Sequence, residues 1–140
     1  FTVIMTGTIV VVYAMIESGQ KVRASVMAEE EANFLLQKIG WAVGSASAIN
    51  EPAPGATGVL LSVTRTGLPA SENPLVFDMD ADVLRLKRGS GAVQPVSGSG
   101  AAVSHFMAEH IAGSGGKPAG VRAAFQLNGK SYEMTVYVRK

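Results

Sequence analysis

The sequence begins with sixteen residues that carry no charge, FTVIMTGTIVVVYAMI from Phe1 to Ile16, and its first ionisable side chain is Glu17. As an α-helix, residues 1–20 would be roughly 30 Å long, about the thickness of the hydrocarbon core of a bilayer. A signal peptide would place basic residues ahead of its apolar stretch, whereas the first basic residue here is Lys21. The segment therefore indicates a retained hydrophobic helix that packs in lipid or against other copies of the chain, with a buried core helix as the alternative.

This beginning, followed by a polar helix from Gln20 to Ile49 and a strand-rich remainder, resembles a mature type IV pilin or a pseudopilin of type II secretion. In that family a peptidase cuts before a phenylalanine, and the new amine is N-methylated. The resemblance therefore implies an N-methylated Phe1. The strands look most like those of minor pseudopilins of the J type. The family's filament-core helix corresponds here to Phe1, Val3, Ile4, Met5, Ile9, Val10, Val12, Tyr13 and Ile16.

Met5 departs from the family's pattern, which usually has a glutamate at this position that pairs with the terminal amine of a neighbouring subunit. Methionine cannot form this ion pair. Register would then be set by apolar packing, and the Phe1 amine would donate a hydrogen bond to a backbone carbonyl or to a hydroxyl such as that of Thr2 or Thr6. The alternative is a subunit at the filament tip, where no further subunit lies beyond it.

The helix meets no proline before Pro52, which predicts one helix from Thr2 to about Asn50. In its second half, apolar residues recur at helical spacing and are predicted to pack on a sheet. These helix–sheet packing residues are Leu35, Ile39, Val43, Ala46 and Ile49. Phe34 and Trp41 widen the stripe.

Beyond Pro52 the apolar pattern alternates with period two, which predicts antiparallel strands. The clearest hairpin joins residues 121–127 to 131–139 through Asn128-Gly129, the dipeptide typical of a type I′ turn. A second hairpin is predicted around residues 78–82. Further strands are predicted at residues 59–65, 75–77, 83–87, 93–96 and 103–111.

The predicted fold class is thus α+β, with a long N-terminal α-helix packed on an antiparallel β-sheet in a pilin fold. Two domains are expected. Residues 1–24 form the hydrophobic transmembrane or filament-core helix. Residues 25–140 form a globular head, with a helix over residues 25–50 and a sheet over residues 57–140.

Few side chains suggest chemistry. Asp78, Asp80 and Asp82 echo the start of a calcium loop, but the glycine and the glutamate that such a loop needs further on are missing. His105 and His110 are five residues apart in a strand and are expected on opposite faces. We therefore expect no catalytic residues, metal or cofactor, and an enzyme is the least supported class.

Charge is nearly balanced, with 12 basic and 11 acidic residues and a net charge of +1. This balance does not indicate the basic surface that binds nucleic acid, so nucleic acid is an unlikely partner. Arg85, Lys87 and Arg88 form a small basic cluster that is more typical of a solvated strand edge, and Glu29-Glu30-Glu31 is expected to be a solvated helix face. Cysteine is absent, so no disulfide stabilises the chain.

The expected function is a structural subunit of a type IV pilus-like extracellular filament. The alternatives are a minor subunit that primes or caps such a filament and, third, a membrane-anchored binding module. The resemblance implies partners: other copies of the chain or related pilins, a prepilin peptidase, the pilus assembly machinery, and the membrane before assembly. It also implies a single-pass precursor in the cytoplasmic (inner) membrane and then a location in the extracellular pilus. Adhesion, motility, DNA uptake and secretion all stay open as roles.

Overall fold

The computed structural model describes residues 19, 23, 26–98 and 101–139. By its contacts the chain divides into two units, Phe1–Glu30 and Glu31–Lys140. The helix α1 covers residues 26–44. The strands that follow are β1 (Ala46–Glu51), β2 (Thr57–Gly58), β3 (Leu61–Arg65), β4 (Leu75–Asp80), β5 (Val83–Arg88), β6 (Val93–Pro95), β7 (Val103–Ile111), β8 (Gly120–Leu127) and β9 (Lys130–Tyr137).

The strands form two sheets in which every pairing is antiparallel. Sheet 1 has the order β1-β3-β4-β5-β6, and sheet 2 has the order β2-β7-β8-β9. Most neighbours in each sheet are also neighbours in sequence, as expected where short turns join antiparallel strands.

The hydrophobic core of the 31–140 unit is built from α1 and from alternate residues of both sheets. Phe77 of β4, Phe125 of β8 and Leu35 of α1 are among the largest fully buried side chains. Each large apolar side chain removed from water contributes roughly 2 kcal/mol. Among the described residues, all buried hydrophobic side chains lie between Ala32 and Leu127. The described core therefore belongs to the 31–140 unit.

The predicted fold class is wrong, because the described chain is mainly antiparallel β-structure in two sheets and has no long helix packed on a single sheet. The helix was expected to continue to about Asn50, but α1 ends at residue 44 and β1 follows. Gly44 and Ser45 are weak helix formers. Pairing of β1 with β3, which sets Ile49 opposite Val63, then satisfies the backbone as a strand.

Two backbone hydrogen bonds fix the end of α1. The Arg139 amide donates to the Gly44 carbonyl oxygen at 3.0 Å, and the Thr66 amide donates to the Ser45 carbonyl oxygen at 2.9 Å. The last carbonyl groups of a helix lack partners within the helix. Here the chain just after β3 and the chain just after β9 supply partners at the point where the helix stops.

Across the ranges that the structure describes, no helix is long and apolar enough to cross a membrane. This finding contradicts the predicted transmembrane pilin helix and the predicted single-pass precursor in the inner membrane. The hydrophobic run on which both predictions depended, residues 1–16, lies outside the described residues. Phe1, for which N-methylation is predicted, lies outside them too, as do Met5 and the other predicted filament-core residues.

The strand predictions agree better with the structure than the helix prediction does. The hairpin at Asn128-Gly129 is confirmed, because both residues have the positive φ that a type I′ turn requires, +50° and +84°. β7 has the predicted bounds. The second hairpin is tighter than expected, since β4 and β5 leave only Ala81 and Asp82 in the turn. The two strands β1 and β2 were not predicted at all.

Candidate functional site

A cluster of aromatic and basic side chains lies on the surface where α1 meets sheet 1. We call it the Trp41 patch and define it as Phe34, Lys38, Trp41, Arg65 and Arg88. The first three project from α1 at spacings of four and three residues, which puts them on one face of the helix. Arg65 ends β3 and Arg88 ends β5. Phe34 is 44% exposed and Trp41 is 39% exposed, which is high for such large apolar rings.

Cations lie over both rings of the patch. The Arg65 guanidinium carbon is 3.9 Å from the centroid of the Trp41 ring, and that of Arg88 is 5.9 Å from it. The Lys38 ammonium is 5.4 Å from the centroid of the Phe34 ring. Each such contact at an exposed site contributes about 0.5–1 kcal/mol. Together they hold the aromatic side chains in place at the surface.

Trp41 separates two shallow grooves of about 310 and 200 Å³. The larger is lined by Phe34, Gln37, Lys38, Trp41 and Arg88. The smaller is lined by Gly40, Trp41, Gly44, Ser45, Arg65, Val136 and Arg139. As far as the structure describes the chain, no acidic side chain lines either groove.

Among the residues that the structure describes, the cations around Trp41 have no acidic partner. Lys38, Arg65, Arg88 and Arg139 form no ion pair with any carboxylate in the described ranges. The Nε of Arg65 is also buried without a hydrogen-bond partner among the described atoms. A buried donor without a partner costs roughly 1–3 kcal/mol. The surface is therefore electropositive and suited to carboxylates, which accept charge-assisted hydrogen bonds from guanidinium groups.

Asn73 positions Arg65. Its Oδ1 accepts a hydrogen bond from the Arg65 amide at 2.9 Å, and its Nδ2 donates to the Arg65 carbonyl oxygen at 3.0 Å. The same Nδ2 donates to the Leu68 carbonyl oxygen at 3.2 Å. The asparagine thus pairs with both backbone groups of Arg65, as a neighbouring strand would, and holds the loop after β3 against it.

Gly89 positions Arg88. Its amide donates to the Pro74 carbonyl oxygen at 2.9 Å, and its φ of +51° lies in the left-handed region that favours glycine. A Cβ at this position would collide with the carbonyl oxygen of Ser71. The turn after β5 therefore packs directly on the loop that Asn73 holds, and this contact fixes the end of β5 next to Trp41.

A second arginine, Arg85, sits three residues before Arg88 on β5 in a different setting, which we call the Arg85 hairpin. Its Nε and one terminal nitrogen donate to the two Asp78 oxygens at 3.1 and 2.8 Å, and its other terminal nitrogen donates to Asp80 at 2.7 Å. The hydrogen bonds that Arg85 donates to the Asp78 carboxylate raise the pKa of Arg85 above its usual value. The first two aspartates of the suspected calcium loop therefore bind a guanidinium group. Within the described residues, no group of three His, Cys, Asp or Glu side chains could hold a metal ion.

The two histidines do not come together. His105 is exposed at a bulge in β7, with a φ of +53° and its Nδ1 3.2 Å from the Ser104 hydroxyl oxygen. His110 is buried, and its Nδ1–H donates to the Pro52 carbonyl oxygen at 2.9 Å. Since that ring nitrogen is a donor to a carbonyl, His110 has the role of a structural tether.

The predicted packing residues fall in two places. Leu35, Ile39 and Val43 are buried on α1, whereas Ala46 is buried and Ile49 is half-buried on β1. Phe34 and Trp41, expected to widen the buried stripe, are exposed instead. The sequence did hold a signal for the Trp41 patch, since Lys38 stands between these two aromatic residues at helical spacing, but the arginines come from strands far along the chain.

Comparisons with known proteins assign no family. No family model, curated protein or solved structure matches the chain. The Trp41 patch places the guanidinium groups of Arg65 and Arg88 beside an exposed aromatic ring. The arrangement is suited to binding an apolar group together with carboxylates.

Proposed function

We propose that the chain is a structural subunit of a type IV pilus-like filament, whose copies associate through the N-terminal apolar segment. The observation that carries the proposal is the uncharged run from Phe1 to Ile16. It precedes a unit whose described core lies between Ala32 and Leu127. Because apolar burial contributes about 25 cal/mol per Å², such a run favours association with the same run in other copies.

The Trp41 patch supports a role in association. Its exposed rings and unpaired cations are typical of binding surfaces, where aromatic residues and arginine are enriched. Both arginines are held by surrounding loops, through Asn73 and Gly89, so the surface is formed before a partner arrives. Preorganised side chains lose less entropy on binding.

A minor subunit that primes or caps a filament is the second candidate. The observation that favours it is Met5, which stands where the family that the chain resembles usually has a glutamate. A subunit without that carboxylate cannot pair with the amine of a neighbour in the usual way. Such a subunit would assemble only when glutamate-bearing subunits are present.

The test is assembly of the full chain after dilution from detergent, followed by sedimentation and electron microscopy. We expect the wild-type chain to form filaments and the double variant Ile9→Asp and Val12→Asp to stay monomeric. The conservative variant Thr8→Ser is the matched control and should assemble like the wild type. Filaments of the wild type only after addition of a glutamate-bearing pilin would favour the minor subunit. Monomers under both conditions, or normal assembly of the aspartate variant, would overturn the proposal.

A further inference from the structure

The Trp41 patch has a chemical complement in the chain's own sequence. We define the acidic segment as residues 26–30, Val26-Met27-Ala28-Glu29-Glu30. Val26 is 48% exposed, Met27 is 71% exposed, and both glutamates are exposed. Apolar side chains beside carboxylates are the counterpart of aromatic rings beside cations.

We propose that the Trp41 patch binds the acidic segment of a second copy of the chain. In this contact the Glu30 carboxylate of the second copy pairs with Lys38 and Arg88 of the first copy, and Met27 of the second copy lies on the Trp41 ring of the first. A thioether contacts aromatic rings favourably, and its flexible side chain adapts to an irregular groove. The inference rests on the proposed filament and identifies one contact between its subunits.

Charge favours a second copy as the occupant. Residues 29–31 are the longest run of acidic residues in the chain, and the patch holds cations without carboxylates of their own. Glu31 already accepts a hydrogen bond from the Gly98 amide at 2.6 Å, so the contact is assigned to Glu30. With a net charge of only +1, copies do not repel one another strongly, and local patches of opposite sign can direct their approach.

The two surfaces are different, and this determines the kind of assembly. A contact between unlike surfaces is heterologous, so after two copies pair, the patch of one copy and the acidic segment of the other can still bind further copies. Repeated in one direction, such a contact generates closed rings or open helical filaments, whereas a reciprocal contact between two copies would end at a two-fold dimer. Growth by this contact is therefore compatible with a filament.

Cross-linking tests the contact directly, because the chain has no cysteine of its own. Copies with Glu30→Cys are mixed with copies with Lys38→Cys under assembly conditions and treated with a short bis-maleimide. The expected result is a covalent dimer at about tenfold the yield of a control mixture that pairs Glu30→Cys with Ser131→Cys, an exposed site on β9. Equal yields from the two mixtures would overturn the proposal.

Charge reversal is a second test. A variant that had merely misfolded would not be rescued by the opposite charge change. Lys38→Glu and Glu30→Lys should each raise the concentration needed for assembly about tenfold, and the double variant should restore it. Lys87→Glu, an exposed change on β5 outside the patch, is the control and should have no effect. Absence of rescue in the double variant would contradict the contact.

The outcomes also separate this inference from the proposed function. If filaments form and neither the cross-link nor the charge reversal has an effect, the contact is wrong and the filament stands. If the wild-type chain never assembles, the proposed function fails and the contact fails with it. If Lys38→Glu leaves assembly intact but abolishes binding of a single-stranded DNA oligonucleotide, the patch is a nucleic-acid site and the proposal is overturned.

Discussion

The Arg85 hairpin and the Trp41 patch contain arginines from the same strand in opposite circumstances. On β5, Arg85 is held by two carboxylates at 2.7–3.1 Å, while Arg88 has none and lies beside an exposed tryptophan ring. The two arginines are only three residues apart, yet Arg85 is fixed by ion pairs and Arg88 is available to a binding partner. Because side chains alternate along a strand, Arg85 and Arg88 lie on opposite faces of the sheet. On its own face Arg85 is across from Asp78 of β4, whereas Arg88 is across from Leu75.

This difference explains why a basic cluster in sequence is a poor guide to a binding surface. Arg85, Lys87 and Arg88 are close in the chain, yet Arg85 is neutralised locally. The cations that gather around Trp41 come from α1, β3 and β5, so the surface charge is set by tertiary structure. Four experiments test this difference between the Arg85 hairpin and the Trp41 patch.

The largest effect on stability is expected from Gly89→Ala, which disturbs the turn that holds Arg88. The new Cβ would collide with the Ser71 carbonyl oxygen, and alanine is strained at a φ of +51°. Strain and crowding together predict a loss of about 3 kcal/mol in the free energy of unfolding. Urea denaturation followed by circular dichroism measures it. Gly67→Ala has a similar positive φ of +86° but open space around it, so it should cost only about 1 kcal/mol.

Asn73→Ala should have the next largest effect, because it removes three hydrogen bonds and leaves both backbone groups of Arg65 without their partner. We expect a loss of about 2 kcal/mol in unfolding free energy. The fluorescence of Trp41 should change as well, since Arg65 stacks on it. Asn50→Ala, which removes bonds from Asn50 to the Ser62 and Thr64 hydroxyls at the surface, is the control and should leave the fluorescence unchanged. An unchanged emission in Asn73→Ala would show that Arg65 is held by other contacts.

Ala81→Gly should stabilise the Arg85 hairpin. Ala81 adopts a φ of +52° in the turn between β4 and β5, a conformation that costs a residue with a Cβ about 1 kcal/mol. The unfolding free energy should therefore rise by about this amount. The same substitution at Ala53, which has no positive φ, should be neutral or destabilising. Destabilisation by Ala81→Gly would contradict the assigned turn geometry.

The smallest effect is a change in quenching of the single tryptophan. Because the Trp41 patch is electropositive, iodide should quench Trp41 more efficiently than caesium does at equal ionic strength. Arg88→Gln should lower the iodide quenching and leave acrylamide quenching nearly unchanged. Arg85→Gln is the matched control on the same strand and should alter neither. Equal quenching by iodide and caesium in the wild type would show that the patch is not electropositive.

The β-hairpins could be predicted from sequence because their information is local. Asn128 and Gly129 encode a turn by themselves, since both tolerate positive φ. The end of α1 could not be predicted, because Ala46 and Ile49 fit a helical stripe equally well as they fit β1. The pairing of that segment with β3, about fifteen residues further along the chain, decides its structure.

The Trp41 patch could not be predicted from the sequence for a related reason. A large apolar residue at helical spacing is usually buried, so Trp41 was expected to pack inward. Whether it does depends on what lies opposite, and here the ends of β3 and β5 present Arg65 and Arg88. Pairing of both strands with β4 brings those ends near each other, and the loop interactions of Asn73 and Gly89 hold them. Neither Asn73 nor Gly89 has a local signature that indicates such a role.

The two hydrogen bonds at the end of α1 have a mechanical consequence. Since Gly44 is bonded to Arg139, the end of the helix and the chain beyond the last strand are tied at one point, and Ser45 is tied beside it to Thr66 after β3. Tension applied along the helix would meet these two bonds before it reaches the strand ladders. A force applied between α1 and the residues after β9 would then act first on these two hydrogen bonds. Both sheets would keep their strand pairing until those bonds break.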